Sequence, residues 1–175
     1  MKRVILVEPE IDNSESIIKI FNKFNPDSKF VNLHICLVFP FDSNLETEKM
    51  SLIFKNVFSK YKSLNLKLRG LTVSYEKNDN FLFLNVDENQ DILKQMSKDL
   101  YDSLGDCAKL KGKYIPHITL GKSEDIDEIQ RMYRLASDLL EEDYSAIIDT
   151  IYCKKFLSSR NSIMLENELE YVLSS

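Results

Sequence analysis

The sequence predicts an α+β fold built from two related halves. Apolar runs of strand period come in hairpin-like pairs, single amphipathic helices separate them, and the same helix-and-strand theme recurs in the second half. No Gly-rich loop of the dinucleotide or P-loop type is present, so a doubly wound sheet carrying a nucleoside triphosphate is not indicated.

Lys2 to Val7 forms a short apolar strand. Asp12, Asn13, Ser14 and Glu15 offer caps for a helix with apolar positions Ile17, Ile18, Phe21 and Phe24, which stops by Pro26. Val31 to Phe39 is a strongly apolar strand that Pro40 is expected to end. Asn44 to Tyr61 sets Leu52, Ile53, Val57 and Phe58 at helical spacing. Leu64 to Ser74 alternates as a strand with a bulge at Gly70, and Phe81 to Val86 pairs with it across the polar turn 76–80. Ile92 to Leu104 is a helix closed by Gly105. Pro116 to Gly121 is a short strand, and Asp125 to Leu140 is a helix that points Ile126, Ile129, Met132, Leu135 and Leu139 inward. Tyr144 to Phe156 and Ser162 to Val172 are two last strands around a turn at 158–161.

At 175 residues the chain has the length of one domain, spanning 1–175, since domains commonly run to roughly 100–200 residues. A composition 43% apolar and 29% charged, with four Gly and four Pro, excludes disordered and collagen-like chains. No apolar run approaches the roughly 18–20 residues that span a bilayer, and the N-terminus meets Glu8 too soon for a signal peptide. A net charge of −5 argues against long duplex DNA as a partner but leaves room for a small phosphate ester in a local basic pocket. The three cysteines, Cys36, Cys107 and Cys153, are widely spaced, which fits a reduced, cytoplasmic setting; Cys107 and Cys153 are expected as structural thiols.

The only two histidines share one frame. His34 stands in Leu33-His34-Ile35-Cys36-Leu37 and His117 in Pro116-His117-Ile118-Thr119-Leu120, 83 residues apart. Strand alternation puts His34 with Cys36 on one face, opposite Ile35, Leu37 and Phe39; His117 and Thr119 likewise oppose Ile118 and Leu120. Two such strands from duplicated halves would oppose two imidazoles across a groove. Histidine has an ordinary pKa near 6.5, so one ring can take a proton while the other gives one. Groups at the +2 positions, Cys36 and Thr119, could donate to phosphate oxygens as charge builds there. A metal site would need further ligands, and nothing at ligand spacing supplies them.

With these segments the chain resembles the 2H phosphoesterase superfamily, the 2′-5′ RNA ligase-like or cyclic phosphodiesterase family. The stretch Leu33 to Phe41 is similar to the first His-x-Thr/Ser motif of its YjcG-like bacterial branch, and Tyr114 to Gly121 is similar to the second. The resemblance implies a bilobal duplicated fold in which antiparallel sheets form a central cleft. It implies cofactor-free hydrolysis of a 2′,3′-cyclic phosphate or related 2′-5′ linkage of a nucleotide or RNA end. His34 and His117 carry over as acid and base, and Thr119 as a phosphate-binding hydroxyl. Cys36 stands where the family has Thr or Ser, and a thiol is the weaker donor. That departure also admits a module that holds a cyclic nucleotide or RNA terminus with little turnover.

Around the motifs, Lys111, Lys113 and Lys122 could raise the local positive potential, with Lys122 expected on the face opposite His117 unless the strand ends at Gly121. Tyr114, Phe39 and Phe41 are candidates for stacking on a base, although with eight Tyr and ten Phe in the chain core packing is the expected role of any one of them. Lys154, Lys155 and Arg160, near the last hairpin, are left outside the core of the site.

Overall fold

The structure, a computed structural model, describes residues 1–159 and 162–175; Arg160 and Asn161, and with them the centre of the expected last turn, lie outside the described residues. Among the described residues, nine strands and four α-helices build two sheets whose neighbouring strands all run antiparallel. The first sheet has the order β3-β1-β8-β9, from β1 (Lys2–Val7), β3 (Ile35–Asp42), β8 (Thr150–Ser159) and β9 (Ser162–Val172). The second has the order β2-β7-β4-β5-β6, from β2 (Glu10–Ile11), β4 (Leu64–Tyr75), β5 (Asn80–Glu88), β6 (His117–Ser123) and β7 (Asp143–Ile148). Helices α2 (Thr47–Phe58) and α3 (Gln90–Leu104) pack on the first sheet, and α1 (Glu15–Phe24) and α4 (Ile126–Leu139) on the second. Each sheet thus has helices on one face and a motif-bearing strand, β3 or β6, at one edge. Among the described residues no helix is long and apolar enough to cross a membrane.

The pleat explains which residues face the helices. In β5 the buried set is Leu82, Leu84 and Val86, leaving Phe81, Phe83 and Asn85 for the other face. In α1 the buried residues Ile17, Ile20 and Phe21 form one helical stripe. Gly70 takes φ +76° where the β4–β5 register shifts, the bulge its position predicts.

Three expectations change. Pro40 does not end its strand: β3 is an edge strand that starts at Ile35 and runs through to Asp42, and an edge position tolerates the missing N–H. The expected strand Tyr144 to Phe156 is two strands, β7 and β8, which pass into different sheets at Asp149. Ile126 and Leu139 are exposed, because they are the first and last residues of α4.

The first sheet is tied down by a buried ion pair. Arg3 on β1 donates from Nε and Nη2 to Glu168 of β9 at 2.7 and 2.8 Å, and to the carbonyls of Ser43 and Leu45 at 3.1 and 2.8 Å. Thr47 at the start of α2 donates to the same carboxylate at 2.7 Å. Both charged side chains are almost fully buried, at 2% and 1% exposure. The Arg3 hydrogen bonds hold the Glu168 carboxyl at about 2, so its stabilising effect is complete above its unfolded value near 4.3 and is lost as pH falls toward 2. Replacing Glu168→Ala strands a buried guanidinium and is expected to cost about 3–5 kcal/mol at neutral pH. Urea unfolding of the variant beside the parent chain measures it.

Candidate functional site

The two imidazoles are held by the same device. His34 lies immediately before β3, and His117 is the first residue of β6. The Nδ1 of His34 donates to the carbonyl of Asn32 at 2.8 Å, and that of His117 to the carbonyl of Ile115 at 2.7 Å. A carbonyl only accepts, so Nδ1 carries the hydrogen in each ring and Nε2 is left for other business. Both rings line one hollow of about 70 Å³, together with Cys36, Phe39, Ile115 and Thr119.

A β-bulge follows the +2 residue in each motif strand. In β3, Cys36 pairs with Leu6 but Val38 with Ile5, so Leu37 and Val38 both turn toward the helices and are fully buried. In β6, Thr119 pairs with Phe83 but Gly121 with Leu82, so Leu120 and Gly121 do the same. Each bulge resets the alternation, and the +5 residue swings to the cleft face. Phe39 therefore lines the hollow, and Lys122 faces the cleft rather than its back, where strict alternation had put it. Gly121 is needed because a Cβ there would meet Phe24 Cβ and Met132 Sδ at 3.0 Å.

Side chains take up backbone groups on the outer edges of both strands. Ser97 on α3 donates to the Leu37 carbonyl at 2.6 Å, and the Tyr101 hydroxyl accepts the Phe39 N–H at 3.1 Å. Asn25, which follows α1, donates to the Thr119 carbonyl at 3.1 Å. Tyr114, three residues before His117, donates its hydroxyl to the Cys36 carbonyl at 2.7 Å and so bridges the two motifs. Tyr114 and Phe41 are buried, which removes both as stacking platforms; Phe39 stays 42% exposed in the cleft wall.

Beyond the shared frame the two rings have different surroundings. His117 stacks on Phe83, centroids 3.7 Å apart at 29°. His34 backs onto a charged chain: Lys154 pairs with Glu8, whose carboxylate accepts a 3.0 Å hydrogen bond from the side chain of Asn32, the residue whose carbonyl holds His34. Burial pushes both imidazoles below their ordinary value; the Asn32 carbonyl and Glu8 oppose this at His34, and the charge of His34 adds to it at His117. Burial pushes the Cys36 thiol up to about 12, so it remains S–H at neutral pH.

Two cavities flank the hollow. One of about 620 Å³ has Phe81, Phe83 and Asn85 on its floor, with Lys111 and Lys113 among its other lining residues. The other, of about 250 Å³, is lined by Asn25, Asp27, His34, Lys122 and Phe156 among others. Among the described residues no group of three or more His, Cys, Asp or Glu is placed to share a metal ion.

A family model, the 2′-5′ RNA ligase superfamily, matches residues 8–156. The chain belongs to the 2′-5′ RNA ligase superfamily. Solved structures share its fold over nearly its whole length. E. coli LigT complexed with 3′-AMP superposes with a TM-score of 0.66 at 16% identity, covering 99% of this chain and 98% of that one. Kluyveromyces marxianus Usb1 gives 0.59 at 14% identity, covering 94% and 96%. A structure described as a phosphoesterase gives 0.65 at 14% identity, covering 99% of both. At such identities the likeness speaks for the fold, while superfamily membership supports a phosphodiesterase or RNA-end-processing role.

In this superfamily member the four residues singled out from the sequence, His34, Cys36, His117 and Thr119, line one hollow. Pattern reading missed Phe83, the Glu8–Asn32 support, the role of Tyr114 and the cleft-facing Lys122. Gly121 carried a signal for the last, since a glycine inside a strand marks a bulge. The environment of the rings sets a direct expectation. In the free protein both imidazoles titrate below 6.5 and are neutral at pH 7, with the hydrogen on Nδ1; ¹H–¹⁵N NMR of the two rings checks both points.

Proposed function

We propose that this chain is a metal-independent phosphodiesterase that hydrolyses a 2′,3′-cyclic phosphate, or a related 2′-5′ linkage, at the end of a nucleotide or RNA. The observation that carries the reading is the pair of carbonyl-anchored imidazoles lining one small hollow with a hydroxyl and a thiol. In the reaction, Nε2 of the neutral ring takes a proton from water as the water oxygen attacks phosphorus. The bond from phosphorus to a ribose oxygen breaks, and that oxygen receives the Nε2 proton of the other, protonated ring. The two rings exchange one proton in and one proton out, and no metal is required for the balance. The Thr119 hydroxyl donates to a non-bridging oxygen, and the Cys36 thiol occupies the matching place as a weaker donor. Both rings are neutral at pH 7 when the site is empty, so the anionic phosphate must draw in the second proton. The kcat/KM profile for a cyclic nucleotide accordingly peaks below pH 6.5 and falls toward pH 8.

The thiol at Cys36 favours a second reading, a module that binds the same ends with little turnover. Turnover assays with nucleoside 2′,3′-cyclic phosphates separate the two. The enzyme reading expects His34→Ala or His117→Ala to lower kcat about 10²–10⁴-fold, the worth of a positioned acid or base; activity that survives either change defeats it. Cys36→Thr is expected to raise kcat/KM roughly five- to tenfold, equivalent to about 1 kcal/mol for one better hydrogen bond. Calorimetry showing tight binding without product would instead favour the module.

A further inference from the structure

We propose that the 620 Å³ cavity beside the hollow is a second phosphate site. In it Lys111 and Lys113 hold a phosphate on the 5′ side of the nucleotide whose 2′ or 3′ side presents the reacting phosphorus. The proposal rests on the phosphodiesterase reading above and adds to it a class of substrate, a nucleotide or chain end bearing two phosphates. Four residues, Phe39, Ile115, His117 and Thr119, line both the hollow and the cavity, so a ligand anchored between the histidines continues directly into the larger space. Its lining carries Phe81 beside Phe83, their rings 5.9 Å and 16° apart; one face of Phe83 is taken by His117, so Phe81 offers the further aromatic surface for a base. With the base there and the reacting phosphorus in the hollow, the 5′ oxygen is the remaining place where a nucleotide carries phosphate.

The charge of the rim points the same way. Lys111 and Lys113 face one carboxylate of the lining, Glu76, and neither makes an ion pair among the described residues. Between them Gly112 takes φ +84°, a left-handed bend in which a Cβ would meet nothing but which other residues rarely adopt. The chain as a whole carries −5, so a rim with two lysines to one carboxylate is a local reversal of sign. Among the described residues the smaller cavity has no such surplus: its Lys122 is paired with Asp79 at 3.1 Å, and Asp27 also lines that space.

Calorimetry with three ligands that carry neither a cyclic phosphate nor a 2′-5′ linkage tests the proposal: adenosine 3′-monophosphate, adenosine 3′,5′-bisphosphate and the 3′-phosphorylated dinucleotide ApAp. The second phosphate is expected to tighten binding about tenfold at low salt, and that gain is expected to shrink as salt screens the lysines. In the double variant Lys111→Ala/Lys113→Ala the ratio between one- and two-phosphate ligands should fall to near one, and Glu76→Gln should enlarge it. A gain for both bisphosphate and dinucleotide supports a site for any 5′ phosphate; a gain confined to ApAp supports a site for a chain end. Equal affinity for all three ligands, or a proportional loss for all three in the lysine variant, overturns the proposal. If cyclic mononucleotides turn over but no gain is seen, this site alone is refuted; if the gain is present and no cyclic phosphate is opened, the phosphodiesterase reading fails and the site stands.

Discussion

One hydrogen bond, from the Tyr114 hydroxyl to the Cys36 carbonyl, ties the lead-in of the second motif to the strand of the first. Tyr114 leads into the second motif, and Cys36 is the +2 residue of the first. Both motif strands lie at sheet edges, where unpaired backbone groups would normally invite another strand. Here Ser97, Tyr101 and Tyr114 take up three of those groups on β3, and Asn25 takes up one on β6. The edges therefore approach without zipping into a continuous sheet, and the space left between them is the cleft. Burial of the Tyr114 ring drives the phenol well above its ordinary pKa, so the donor keeps its hydrogen at any physiological pH.

The paired bulges turn a repeated sequence into a symmetric centre with unlike flanks. Up to the +2 position the two strands present the same pattern: an imidazole pinned by the carbonyl two residues back, then a small polar side chain. Past the bulge, the +5 position delivers Phe39 on one side and Lys122 on the other. The second surroundings of the rings diverge as well, with an aromatic plane under His117 and a Lys154–Glu8–Asn32 chain behind His34. A small centre that treats its two rings alike can thus be joined to cavities of different size and charge.

The imidazole pair was legible because it rests on period and frame alone: two isolated histidines, each followed by the same apolar spacing, need no tertiary information to be matched. The α+β class was legible for the same reason, and the architecture of two sheets around a cleft followed from the family resemblance. What period two cannot see is a bulge, since one extra residue inverts every face beyond it. Phe39 and Lys122 were both misplaced by that rule, and Pro40 was read as a stop because edge and centre strands look alike in sequence. The junction at Asp149, where a continuous apolar alternation changes sheets, carries neither Gly nor Pro to announce itself. Tyr114 reads in sequence as core or as a stacking ring; the structure buries it, and its bond to the Cys36 carbonyl is a tertiary fact that no period reports.

The connectivity has an outcome in time as well as in space. The chain passes back and forth between the sheets: β1 in the first, α1 against the second, β3 in the first, β4 and β5 in the second, and α3 again on the first. The second sheet has all its strands once β7 has formed, whereas β1, central in the first, waits for β8 to arrive at its free side. On a growing polypeptide, which emerges from its N-terminus, the scaffold beneath His117 can close before the scaffold beneath His34. The histidine that is translated first is thus the one whose sheet is finished last.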